Sequence, residues 1–85
     1  MTGLPVRVMV LDVWDGFDLE VPADLPVAEL KARALTMARV EHDPREYLVK
    51  FRGAELRENG ETIGGAGVVA NGELIVMSRR RRPVR

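Results

Sequence analysis

Leu48-Val49-Lys50-Phe51-Arg52-Gly53-Ala54-Glu55-Leu56, then Asn59-Gly60-Glu61-Thr62-Ile63, then Gly67-Val68-Val69-Ala70-Asn71-Gly72-Glu73-Leu74-Ile75-Val76 are the three blocks whose reading decides the fold. Residues 47–51 alternate, with Tyr47, Val49 and Phe51 on one side of Leu48 and Lys50, which predicts a strand that Gly53 closes. Residues 55–57 form a short fourth strand that Asn59-Gly60 ends. A glycine-rich loop, Gly64-Gly65-Ala66-Gly67, leads through Val68-Val69 to a second Asn-Gly turn at Asn71-Gly72. Residues 73–78 are the last strand, with Leu74 and Val76 on one face and Ile75 and Met77 on the other.

Working back towards the N-terminus, residues 6–13 alternate and are rich in valine, with Val6, Val8 and Val10 facing one way and Arg7, Met9, Leu11 and Val13 the other. Asp15-Gly16 tolerates the positive φ angles of a two-residue hairpin turn, so a second strand is expected over residues 17–21. That register sets Trp14 opposite Phe17, Asp12 opposite Leu19 and Val10 opposite Val21, and gives Val6, Val8, Val10, Phe17, Leu19 and Val21 a shared face. Pro22 ends the strand and Pro26 opens a helix over residues 26–40. Val27, Leu30, Ala34 and Met37 or Ala38 form its apolar stripe, while Glu29, Lys31, Arg33 and Arg39 lie off it or at its border. The order β-β-α-β-β-β is that of an α+β domain, a four- to five-stranded mixed sheet with one helix packed across one face. Residues 1–78 are read as a single domain and residues 79–85 as a basic, flexible tail, of which Arg79 and Arg80 are expected to extend the last strand and leave about five residues free.

Eighty-five residues leave room for one small core and exclude a two-domain enzyme. With no cysteine, disulfides, thiolate metal sites and cysteine nucleophiles are all excluded. The formal charge is zero, but Arg79-Arg80-Arg81-Arg82-Pro83-Val84-Arg85 holds 5 of the 13 positive charges, leaving 8 positive against 13 negative over residues 1–78. This is an acidic body with a basic tail. No apolar run reaches the roughly 18–20 residues that span a bilayer, and no basic-then-apolar leader opens the chain, so a soluble cytoplasmic protein is expected. Arginine outnumbers lysine 11 to 2, a usage that GC-rich bacterial genomes produce.

The three blocks, with the Val27-Ala28-Glu29-Leu30-Lys31-Ala32-Arg33 helix and the first hairpin in the same order, resemble the ubiquitin-like β-grasp family over residues 6–79. The resemblance implies a sheet ordered second, first, fifth, third strand, with the first and last strands parallel at the centre. In size, and in the run Asp43-Pro44-Arg45-Glu46, the chain is similar to two bacterial groups, the YukD-like family associated with type VII secretion and the small ubiquitin-like subunit of multicomponent aromatic monooxygenases. Conjugated members and sulfur carriers end in Gly-Gly, where this sequence has Arg81-Arg82-Pro83, and its only Gly-Gly, Gly64-Gly65, precedes the last strand. Conjugation or sulfur transfer is therefore the disfavoured alternative. The family's recognition patch has an isoleucine at its centre where this chain has Lys50, yet the same outer face is expected to carry Met9, Leu11, Leu48, Ile75 and Met77. A contiguous apolar patch of this kind marks a contact surface, and methionines make it adaptable.

No catalytic set, cofactor site or metal site is expected. His42 and Ser78 are the only residues of their kinds and lie on different elements. Asp12, Asp15 and Asp18 lack the loop and terminal glutamate of a helical calcium site and read as a solvated acidic tip. Gly64-Gly65-Ala66-Gly67 lacks the Lys-Ser/Thr of a phosphate loop. Trp14 has two readings, an exposed anchor for a partner or a cap on the core rim beside Phe17. The tail has three: Arg79, Arg80, Arg81, Arg82 and Arg85 offset the acidic body, dock into an acidic groove on a partner, or bind nucleic acid or an anionic membrane, against which the acidic body weighs. The expected function is a non-catalytic protein-interaction module or accessory subunit, monomeric when isolated, whose partner surface is Met9, Leu11, Leu48, Lys50, Ile75 and Met77 with the tail as an auxiliary contact.

Overall fold

Alternating valines make β1 (Leu4–Val10) a strand that a sheet can bury on one face, and the elements that follow are β2 (Asp15–Val21), α1 (Val27–Met37), β3 (Tyr47–Phe51), β4 (Ala54–Glu55) and β5 (Gly72–Ser78). The structure is a computed structural model that describes residues 3–79; Arg80, Arg81, Arg82 and Arg85 lie outside the described residues. The sheet order is β2-β1-β5-β3-β4. β1 and β5 pair in parallel at its centre and the other neighbours are antiparallel. Parallel neighbours require a crossover, and α1 lies within it, packed on one face. That face and the helix bury Val6, Val8, Val10, Val49, Leu74 and Val76 against Val27, Leu30, Ala34 and Leu35.

The β1–β2 register differs from the expected one. Leu11–Val13 wind a 3-10 turn closed by the Trp14 amide donating to the Leu11 carbonyl at 3.2 Å, so four residues rather than Asp15-Gly16 make the reversal. Val10 then pairs with Asp15, Val8 with Phe17 and Leu4 with Val21. Val10's partner has moved by an even number of residues, and an even slip keeps every side chain on its face. Val6, Val8 and Val10 are therefore inward as predicted, while Leu11 and Val13 fall outside the strand.

β4 is likewise displaced from residues 55–57 to Ala54–Glu55 because Arg52 (φ 56) and Gly53 (φ 82) form a two-residue turn with positive φ at both centres, which sets Phe51 opposite Ala54. Helix α1 is shorter than residues 26–40. Arg39 enters the left-handed region (φ 61), its amide donates to the Thr36 carbonyl at 3.0 Å, and the Val40 amide donates to the Leu35 carbonyl at 2.9 Å, a paired capping arrangement that stops the helix. Ala38 takes the core position at this end and Met37 faces solvent.

Lys31, placed off the apolar stripe or at its border from the sequence, is buried. Its Nζ donates to the Tyr47 carbonyl at 2.9 Å and meets Glu58 Oε1 at 2.8 Å, which ties α1 to the start of β3 and to the segment after β4. Glu58 Oε2 is buried without a hydrogen bond, and Arg79 Nη2 lies 3.9 Å from it.

Breaking this pair by Glu58→Ala should cost about 3 kcal/mol, because it strands a buried ammonium, and Lys31→Met with Glu58→Leu should recover most of the loss; urea unfolding of the three proteins measures both effects. Trp14 holds a left-handed backbone (φ 56), which costs an L-residue roughly 1–2 kcal/mol. Trp14→Gly should be at least as stable as the parent and about 1 kcal/mol more stable than Trp14→Ala in the same assay.

Candidate interaction surface

Among the described residues, α1 covers one face of the sheet and the other is left open. On the open face the register sets Met9 of β1 beside Ile75 of β5, and Ile75 beside Lys50 of β3, so these three form one row across the central strands. Leu48 lies opposite Met77 in the next row. Five of the six residues assigned to the surface from the sequence are thus brought together on strands. Leu11 is the exception, since it sits in the 3-10 turn beyond the end of β1. All six are half-buried, so the patch is flush with the sheet and does not protrude.

Charged pairs border it. Arg7 Nη1 meets Asp18 Oδ1 at 3.0 Å and Arg7 lies beside Glu73 in the sheet. Lys50 is opposite Glu55. At the end of the face where β5 begins, a groove of about 460 Å³ opens between the Arg52-Gly53 turn and residues 69–73, with Ile75, Phe51 and Val69 among its walls. The Arg52 guanidinium lies 5.1 Å from the centre of the Phe51 ring.

Where β5 ends, Arg79 belongs to the domain's own bonding. Its amide donates to the Glu46 carbonyl at 2.8 Å, its Nε to the Arg45 carbonyl at 3.1 Å, and its Nη1 to Glu55 Oε2 at 2.9 Å. Its backbone extends the last strand's pairing as expected from the sequence, and its guanidinium is engaged within the fold. The Lys31–Glu58–Arg79 cluster is the feature missed there, although a signal existed: Lys31 follows Val27 by four and precedes Ala34 by three, the spacing of a buried helix face.

Trp14 is 77% exposed and Phe17 pairs with Val8, so the aromatic cap on the core rim does not form. The Gly64-Gly65 pair has a packing reason, because a Cβ on Gly64 would come within 3.0 Å of the Ala23 carbonyl and one on Gly65 within 2.9 Å of Thr62 Oγ1. Among the described residues no group of three or more His, Asp or Glu side chains converges as a metal site would require, and no helix is long and apolar enough to cross a membrane. Burial, and secondarily the nearby Asp12, raises the Tyr47 hydroxyl above its usual pKa.

Compared with solved structures, the chain superposes on Caldiarchaeum subterraneum ubiquitin with a TM-score of 0.77 at 16% identity, covering 95% of this chain and 99% of that one. The chain has the ubiquitin-like β-grasp fold. A ubiquitin-like domain from Arabidopsis thaliana gives a TM-score of 0.76 at 16% identity, covering 100% and 86%. A protein designed on the basis of ubiquitin gives 0.78 at 17% identity, covering 99% and 98%. By sequence, the chain matches no family model and no curated protein. In this ubiquitin-like frame the half-buried row spans the three strands at and beside the centre of the sheet, and the Asp43–Arg45 turn precedes β3.

That turn offers a direct check on local electrostatics. The Asp43 carboxylate accepts from Arg45 Nη2 at 2.7 Å and from the Arg45 amide at 2.9 Å. These bonds lower its pKa from 3.8 to about 2. A lowered carboxyl favours the folded form above 3.8, and that contribution disappears as the pH falls through about 2. Carboxyl NMR titration should place Asp43 near 2, and Arg45→Ala should return it towards 3.8.

Proposed function

We propose that this chain is a non-catalytic ubiquitin-like module, a soluble cytoplasmic accessory subunit, that binds another protein through the open face of its sheet. The observation that carries the reading is the Met9–Ile75–Lys50 row with Leu48–Met77 beside it, an apolar surface with one cation across β1, β5 and β3. A rigid sheet presents such side chains in fixed positions, so little ordering entropy opposes a contact. The two methionines accommodate small differences in a partner's shape. Lys50 gives the patch a polar point of orientation, while the Arg7–Asp18 pair at its border supplies the charged rim that protein interfaces usually carry. Leu11, beyond the strand end, extends the patch only if the partner reaches the hairpin turn.

The Gly64-Gly65 pair supports binding over conjugation. Its amides are committed to the fold, that of Gly64 donating to the Ala23 carbonyl at 2.7 Å and that of Gly65 to Thr62 Oγ1 at 3.0 Å. Cleavage after it would also remove Leu74 and Val76, both fully buried.

Ile75→Asp with Met77→Asp should abolish capture of partner proteins from a native lysate, and Lys50→Glu, a milder change at a half-exposed position, should weaken it. Circular dichroism and thermal unfolding confirm that each variant is folded. Undiminished capture by both folded variants would sink the proposal.

A further inference from the structure

Both asparagines of the chain open the same tripeptide, Asn59-Gly60-Glu61 and Asn71-Gly72-Glu73. Before a glycine, an asparagine side-chain amide is open to attack by the next backbone nitrogen, because no side chain obstructs the approach. Identical neighbours give the two positions the same intrinsic reactivity, so a difference between them has to come from the fold. Both asparagines are exposed, but the glycines that follow them are not alike.

Gly72 opens β5 and is buried. Its amide donates to the Val69 carbonyl at 2.9 Å, and the Asn71 amide donates to the Pro5 carbonyl at 2.6 Å. A Cβ on Gly72 would meet the Val69 carbonyl at 2.9 Å and the Phe51 ring at 3.1 Å. The nitrogen that would attack Asn71 is thus bonded and closely packed, and it is released only when this end of β5 opens. Gly60 is exposed, its amide makes no hydrogen bond among the described residues, and the space where a Cβ would stand is empty. The bend that holds Asn59 is also fastened to α1 on both sides. Before it, Glu58 meets Lys31 at 2.8 Å; after it, the Glu61 carbonyl accepts from the Val27 amide at 2.9 Å and Thr62 bridges to Pro26.

We infer that Asn59 is a self-modification site, which loses its side-chain amide to water while Asn71 is protected, and that the product loosens the hold of this segment on α1. The Gly60 nitrogen gives up its proton and bonds to Asn59 Cγ, the Cγ–Nδ2 bond breaks, and ammonia leaves. Water then opens the five-membered imide. Breaking the bond from nitrogen to Cγ gives aspartate. Breaking the bond from nitrogen to the main-chain carbonyl carbon gives isoaspartate, whose chain runs through Cβ and Cγ and is longer by one methylene. The net reaction consumes one water and releases one ammonia, with no oxidation or reduction. Either product sets a carboxylate in the bend between Glu58 and Glu61, and isoaspartate also lengthens a bend that is tied at both ends. The open sheet face takes no part, so this inference and partner binding there stand or fall separately.

The folded protein, held at mildly alkaline pH and sampled over time by peptide mapping with fragmentation, should show amide-to-acid exchange at Asn59 at least about tenfold faster than at Asn71, the factor set by first breaking a buried hydrogen bond. In urea the two rates should converge, because the tripeptides are the same. Aged protein should unfold at a lower urea concentration than fresh protein. Asn59→Gln, whose longer side chain closes a ring slowly, should keep its fresh midpoint on ageing. The inference is overturned if the folded protein converts both asparagines at equal rates, converts Asn71 first or converts neither, or if ageing leaves the wild-type midpoint unchanged or lowers that of Asn59→Gln equally.

Discussion

The parallel pairing of β1 with β5, Val6 beside Gly72 through Val10 beside Val76, is the constraint from which the rest of the molecule follows. It joins the first strand to the last, so every intervening element belongs to the return path between them. A parallel pair cannot be closed by a tight turn, and the helix in the return path lies on a single face. That face becomes the core, where Val8, Val10, Leu74 and Val76 have no solvent exposure. Among the described residues no second helix covers the opposite face. The open apolar row is therefore a consequence of connecting the sheet's centre through one helix, and its composition is where this chain differs from a merely solvated sheet.

Much of this arrangement was legible in the residues because strand alternation fixes parity, and parity survives errors of register. The hairpin shows why. Asp15-Gly16 is a strong two-residue turn signal, yet Leu11–Val13 coil into a 3-10 turn and Trp14 accepts the left-handed backbone there. Asp15 and Gly16 are thereby absorbed into β2 as partners of Val10 and Met9. The displacement is even, so the valines stayed inward and Met9 stayed outward. Leu11 could not be placed by the same logic, because its position depended on where the strand ended and not on which way its residues alternated.

Charge was read less well than apolar pattern. A lysine on a helix is ordinarily solvated, and assigning Lys31 by type put it off the stripe or at its border. Its angular position between Leu30 and Ala34 puts it in the core, where Glu58 and the Tyr47 carbonyl satisfy it. Arg79 was read as extending the last strand and as part of the basic tail contact. Its backbone does continue the pairing of β5 with the chain before β3, while its side chain reaches acids that no local pattern places near it.

These two cations meet at one carboxylate. Glu58 binds Lys31 through Oε1, and its other oxygen, buried and without a hydrogen bond, looks towards Arg79 at 3.9 Å. A lone glutamate buried beside a single lysine would leave half its acceptor capacity empty, at the cost of its desolvation. The second cation offsets that cost without the geometry of a hydrogen bond. Helix α1, the segment after β4 and the last described residue of the chain thus converge on Glu58. The neutral sum of the sequence is, at this corner, a local balance in which acids of the β4 region neutralise one cation from the helix and one from the end of the central strand.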